Sequence, residues 1–300
     1  MSLQYRKERM HKLSEAWGGE LVRDLFVRWK IPPALFVKLK LAVCMYVAQA
    51  MYFDLELNEA TYLKSLNANR HRRENITPNG AVVPKKEYQL EYNLFLKAWC
   101  DIVREMTKQN PNLLNKFRLT PNIRIKFGEE LGENVGRPLD TALPHSDAWV
   151  EGPWGMNCHL PILGDTSNNY LHFYKLRDEA TFSESFLEKA STYQEMSWVL
   201  NEYVDDDLIP EAGYVNISDY ALIHKTLRNL GCDARISIDT TIFTGDHDVH
   251  PDREAEYLDS IPKIGEELFV ATFLSSGEIE AKKTTFSHYT TGNLKHISLK

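Results

Sequence analysis

Asn122-Ile123-Arg124-Ile125-Lys126-Phe127 is the stretch on which the fold turns. Ile123, Ile125 and Phe127 alternate with Arg124 and Lys126, the period-two pattern of a strand with one apolar and one polar face. Strand-like runs recur downstream at Ala148–Val150, Met156–Ile162, Asn169–Leu176, Gly213–Asn216, Ala221–His224, Ala234–Phe243 and Glu267–Leu274, with turn-rich pieces such as Gly164–Asn168 between them. Helices do not follow the strands one by one, so an antiparallel barrel or jelly roll is expected rather than a doubly wound sheet.

Upstream of Pro121 the period changes. From Glu8 to about Lys116 apolar residues recur at three- and four-residue spacing, as in Leu21, Leu25 and Trp29, and again in Tyr92, Phe95, Trp99, Val103 and Met106. Residues 1–120 therefore read as a mostly helical part and 121–300 as a β-rich core with a C-terminal extension, the two forming one integrated unit. Pro78–Pro84 reads as a loop between helices, Phe182–Val204 as a helix or long loop, and Asp205-Asp206-Asp207 as a solvated turn. The apolar run Leu39–Phe53 is shorter than the roughly 20 residues that span a bilayer and reads as a buried helix.

A 300-residue chain that is 43% hydrophobic can bury one large core. Its formal charge of -7 gives phosphate backbones nothing to hold, so a small molecule is the expected partner, with neither nucleic acid nor membrane. Cys44, Cys100, Cys158 and Cys232 stand far apart, which suits thiols in a reducing, cytoplasmic compartment. The charged amino-terminal stretch gives no expectation of secretion.

The chemistry-bearing segment is Leu143–Trp149, LPHSDAW. On an extended backbone His145 and Asp147 share a side, so an imidazole nitrogen and a carboxylate can converge on one cation. The same pair also suits a hydrogen-bonded surface couple. Downstream, Gly213–Thr226 reads as a strand, a turn around Ser218-Asp219 and a short strand ending at His224. A second imidazole delivered there would complete two histidines and a carboxylate on one face of a metal, leaving open positions as non-haem iron(II) requires. Arg235 and Ser237 repeat the two-residue spacing. Their guanidinium and hydroxyl can seat a carboxylate, although a barrel arginine can equally pair with a structural acid.

In this order and on strand-like segments, His145-x-Asp147, His224 and Arg235-x-Ser237 resemble the iron(II)- and 2-oxoglutarate-dependent dioxygenase superfamily over about Asn122 to Phe243. The resemblance implies an α+β protein, a double-stranded β-helix (jelly-roll) core with the helical N-terminal part packed against it. It implies that His145, Asp147 and His224 ligate iron(II), that Arg235 and Ser237 hold the C5 carboxylate of 2-oxoglutarate, and that O2 oxidises a small-molecule substrate, as in biosynthetic members. Asn157 is a candidate for the C1 carboxylate of the co-substrate. Tyr170, His172, Tyr174, Arg124 and Lys126 are candidates to reach substrate, and His247, Asp248 and His250 form a rival metal cluster or a loop. A cupin-like metalloenzyme without 2-oxoglutarate, or a non-catalytic jelly-roll binding protein, would share the histidines without needing Arg235 and Ser237.

Overall fold

The computed structural model describes residues 2–118, 120–128, 140–244, 254, 256–258, 286, 289 and 291, and the strand backbones at 268–271, 280–282 and 295–298. In chain order the elements are α1 (Leu3–Trp17), β1 (Glu20–Arg23), β2 (Phe26–Lys30), α2 (Pro33–Ala50), α3 (Glu59–Ala68), α4 (Gln89–Thr107), β3 (Leu114–Arg118), β4 (Asn122–Lys126) and α5 (Ala148–Glu151). There follow β5 (Met156–Gly164), β6 (Asn169–Leu176), β7 (Tyr203–Asp205), β8 (Tyr214–Asp219), β9 (Ile223–Arg228), β10 (Arg235–Thr244), β11 (Tyr257–Leu258), β12 (Leu268–Ala271), β13 (Glu280–Lys282) and β14 (Lys295–Ser298). Helices and antiparallel sheets are thus mixed in one fold.

The large sheet runs β1-β2-β8-β5-β10-β3-β11, with β4 also on β10. A second sheet runs β7-β6-β9, and β12-β14-β13 form a third. The alternation in β4, β5 and β10 decides what lies on each face of the large sheet. Ile123, Ile125, Cys158, Leu160, Ile236, Ile238 and Ile242 are buried in one core with Leu39, Val43 and Val47 of α2 and Phe95, Trp99 and Val103 of α4. Each such aliphatic side chain contributes about 1.5 to 3 kcal/mol by leaving water. The intervening residues Arg124, Asn157, His159, Arg235, Ser237 and Asp239 face a cavity shared with Leu171, His224 and Thr226 of the second sheet. Among the described residues α2 is the one helix long and apolar enough to cross a membrane, and here it packs on α4.

Several expectations change. Leu21, Leu25 and Trp29 belong to the β1-β2 hairpin, which follows the left-handed Gly18 that ends α1 and adds to the edge of the large sheet beside β8. Residues 148–151 form one helical turn rather than a strand, because Ser146 and Asp147 turn the chain: Ser146 Oγ accepts the Ala148 N–H at 3.2 Å and the Asp147 carbonyl accepts from Glu151 at 3.0 Å. His224 opens β9 instead of ending a strand. Pro78–Pro84 lies partly in a small hairpin, with Ile76 opposite Val82 and Ala81 opposite Arg124. Asp205 meets His172 at 2.7 Å, while Asp206 is buried beside Arg23, so the acidic run is more than a solvated turn. No disulfide joins the four buried cysteines. His247, Asp248 and His250 lie outside the described residues.

The turn between β8 and β9 is fixed from outside the sheets. Arg6 Nη1 donates to Asp219 Oδ1 at 2.8 Å, Arg9 donates to Asp219 Oδ2, and the two guanidiniums also reach the carbonyls of Pro153 and Trp154, each at 2.7 Å. Asp219 in turn accepts from the backbone of Ala221 at 2.7 Å. All three charged side chains are buried. Asp219→Ala would strand two buried cations, so it is expected to lower the unfolding free energy by about 3 to 5 kcal/mol, measured by urea denaturation. Stability equal to wild type would show that the clamp is redundant.

Candidate metal centre and its cavity

His145 and His224 meet because the segment leading to Asp147 runs antiparallel along the free edge of β9. Each histidine's N–H bonds the other's carbonyl at 2.9 Å, and the Thr226 N–H bonds Thr141 at 2.9 Å. The ring centroids are 4.5 Å apart. Asp147 joins them through the helical turn of α5, and candidate ligand atoms of all three residues lie within 4.8 Å of one another. His224 Nε2 is 3.7 Å from Asp147 Oδ2.

Tautomers are set by backbone carbonyls. His145 Nδ1 donates to Leu143 at 2.8 Å and His224 Nδ1 stands 3.4 Å from the Leu222 carbonyl, which leaves both Nε2 atoms for a cation. Burial, then the neighbouring His224, holds the His145 imidazole well below its ordinary range, so it is neutral and fit to ligate. Burial raises the Asp147 carboxyl, an effect that a bound cation would oppose. Asn157 Nδ2 donates to Asp147 Oδ2 at 2.9 Å, so this side chain orients the carboxylate. Tyr193, for which the local sequence gave no signal, stacks on His145 with ring centroids 4.3 Å apart.

Arg235 and Ser237 stand across the cavity, whose volume is about 70 Å³. Arg235 is 1% exposed, yet its Nε and Nη1 have no hydrogen-bond partner, and neither does Ser237 Oγ. Burial and the like charge of Arg124 bring the Arg235 guanidinium down to about 10, so a charged group here lacks its counter-charge. The nearest acid on β10 is engaged elsewhere: Arg124 Nε and Nη2 grip Asp239 at 2.6 and 2.8 Å, and Asn122 donates to it at 3.0 Å. Burial raises the Asp239 carboxyl, but this ion pair outweighs it and holds the group well below the carboxylate range. Sequence reasoning passed over Asp239, although it continues the Arg235-x-Ser237 alternation by one more step.

His159 also lines this cavity, 3% exposed, with both ring nitrogens lacking a partner. Tyr170, His172 and Tyr174 take the other face of β6, where His172 pairs with Asp205 and Lys225 lies over Tyr174 at 5.6 Å. Their neighbours Leu171 and Phe173 point inward, Leu171 onto the cavity and Phe173 against His224. Lys126 is buried and reaches Thr141 at 3.3 Å. Trp149 is a packing residue whose indole N–H donates to Phe186 at 2.7 Å.

No family model matches the chain, and no curated protein does. Solved structures similar to it include an N-substituted L-amino acid dioxygenase from Burkholderia ambifaria AMMD, at 12% identity over 79% of this chain and 87% of that one, with a TM-score of 0.37. Others are the non-heme alpha ketoglutarate dependent carbocyclase SnoK from nogalamycin biosynthesis, at 8% identity over 78% and 83% with a TM-score of 0.41, and AviO1 from Streptomyces viridochromogenes Tue57, at 12% identity over 83% and 96% with a TM-score of 0.41.

The two depressed imidazoles have a consequence for stability. Below the ordinary imidazole range the unfolded chain takes up protons at His145 and His159 that the folded protein refuses, so stability falls as pH drops. Each contributes up to about 1.4 kcal/mol per pH unit in that window. Urea midpoints of metal-free protein are expected to be lower at pH 5.5 than at pH 7, with a smaller difference in His159→Gln. An equal difference in that variant would show that His159 is not buried in its neutral form.

Proposed function

We propose that this chain is an iron(II)- and 2-oxoglutarate-dependent oxygenase acting on a small molecule. The observation that carries the reading is the orphaned pair of Arg235 and Ser237 facing a His145-Asp147-His224 cluster across one small cavity. One side offers two neutral nitrogens and a carboxylate to a cation, and the other offers a guanidinium and a hydroxyl to a carboxylate. A dicarboxylate whose other end chelates the metal would satisfy both. A metalloenzyme that needs no oxoacid leaves the buried Arg235 charge unexplained.

The fold reading follows the same line. The polar face of the large sheet and the inward face of the β7-β6-β9 sheet line the cavity between them, as in a double-stranded β-helix, and helices α1, α2 and α4 buttress the outer face of the large sheet. Because β1, β2 and β3 come from the first 120 residues and pair within the large sheet, the chain is best taken as one integrated domain.

Iron(II) and 2-oxoglutarate, when bound, supply the oxidation of a substrate C–H bond by dioxygen, with succinate and carbon dioxide released. The protein's part is positional. His145 and His224 present Nε2 because Leu143 and Leu222 hold their Nδ1 sides, Asn157 steadies Asp147, and Arg235 with Ser237 aligns the oxoacid. Tyr193 and Phe173 pack against the imidazoles and keep water from their faces.

Anaerobic titration with iron(II) and 2-oxoglutarate, followed by the metal-to-ligand charge-transfer band, tests this reading. His145→Ala is expected to lose the metal. Arg235→Ala is expected to keep it and to weaken oxoacid binding roughly ten- to hundredfold, the loss of hydrogen bonds to a charged group. A wild-type protein with no band, or an unchanged band in both variants, would overturn the assignment.

A further inference from the structure

Resting on the oxoacid reading of the cavity, we infer that His159 donates the third hydrogen bond to the oxoacid seated on Arg235 and Ser237. Three facts converge on it. His159 lies on β5 opposite Asp239 of β10, one inward rung from Ser237 on one side and one from Asn157, which orients Asp147, on the other. Its imidazole therefore stands between the guanidinium and the proposed metal ligands. Both ring nitrogens are buried and lack a partner, and a neutral imidazole always carries one N–H that must be satisfied. Leaving that donor unmet costs about 1 to 3 kcal/mol.

Its polar neighbours bond elsewhere in this structure. Asp239, its cross-strand neighbour, is occupied by Arg124 and Asn122, and Asn157 has turned to Asp147. Among the buried atoms of this cavity, Arg235 Nε and Nη1, Ser237 Oγ and the His159 nitrogens are orphaned, so a guanidinium, a hydroxyl and one imidazole N–H face one space. A neutral donor is also what the charge balance allows, since a third cation beside Arg235 and Arg124 would repel both. Burial, with Arg235 next, keeps the imidazole in that neutral form.

The test compares His159→Phe, which fills the ring's volume without a donor, His159→Ala, and His159→Gln, which restores an N–H. Metal affinity is measured first without oxoacid, by equilibrium dialysis of iron(II), and the Kd for 2-oxoglutarate then comes from the anaerobic charge-transfer band. Phe and Ala are expected to raise that Kd roughly tenfold with metal affinity unchanged, and Gln to recover most of the loss. A wild-type Kd in the Phe or Ala variant, or no recovery with Gln, would overturn the inference while leaving the oxygenase reading intact. A proportional loss of metal affinity would also overturn it, by making His159 a support of the metal cluster. Absence of any band in the wild type would sink the oxygenase reading itself.

Discussion

A buried guanidinium with unpaired nitrogens is costly, and Arg235, whose Nε and Nη1 have no partner, is such a group. Burying an unpaired charge costs several kcal/mol even after relaxation, so the fold can hold Arg235 only because the rest of the protein supplies that energy. The supply is the apolar face of the same strand. Ile236, Ile238 and Ile242 of β10 are fully buried in the core they share with α2 and α4, while Arg235, Ser237 and Asp239 alternate with them toward the cavity. One strand thus carries both the core and the proposed site, and a slip of one residue in its register would exchange them. Gly164 holds that register where the end of β5 meets the start of β10: its φ is +94°, and a Cβ there would sit 2.1 Å from the Ala234 carbonyl oxygen. Only glycine lets β5 run this close to the start of β10.

The metal side depends on a different device. His145 and His224 come from segments that are neither long strands nor helices, and such segments are mobile unless they are tied down. Here the ties are polar and buried. Arg6 and Arg9 hold Asp219 at the head of the turn that delivers His224, and Ser146, between His145 and Asp147, donates its hydroxyl to the carbonyl of Tyr220 in that same turn. Helix α1 therefore does more than cover apolar surface, since it fixes the loop from which one imidazole is presented.

How much of this could be read from sequence follows from periodicity. A two-residue repeat has no helical equivalent, so β4, β5, β6 and β10 were legible, and with them Arg235, Ser237 and the inward side of Asn157 and His159. Leu21, Leu25 and Trp29 misled because a spacing of four fits a 3.6-residue helix and a two-residue strand alike. Gly18-Gly19 just before them was the cue that a helix ends there. The expected extended chain at His145-x-Asp147 is instead a turn of helix, which brings Asp147 round to His145 as an extended chain would. Tyr193 lies far along the chain from His145 and stacks on it only through the tertiary fold, so no local pattern could announce it.

The charges lining the cavity complete the physical case. The charged side chains that line it balance in sign, Arg124 and Arg235 against Asp147 and Asp239. A divalent cation alone would leave two uncompensated positive charges in a buried space, and a dianion alone two negative ones. On the proposed reading, the two bound together would keep the balance, with the cation beside Asp147 and a carboxylate beside Arg235. In a medium of low polarity the attraction between the two guests is strong, and linkage makes the help mutual: whichever binds first raises the affinity for the other by the same factor. That reading therefore makes a pair of oppositely charged guests, rather than either one alone, the expected occupant of the cavity.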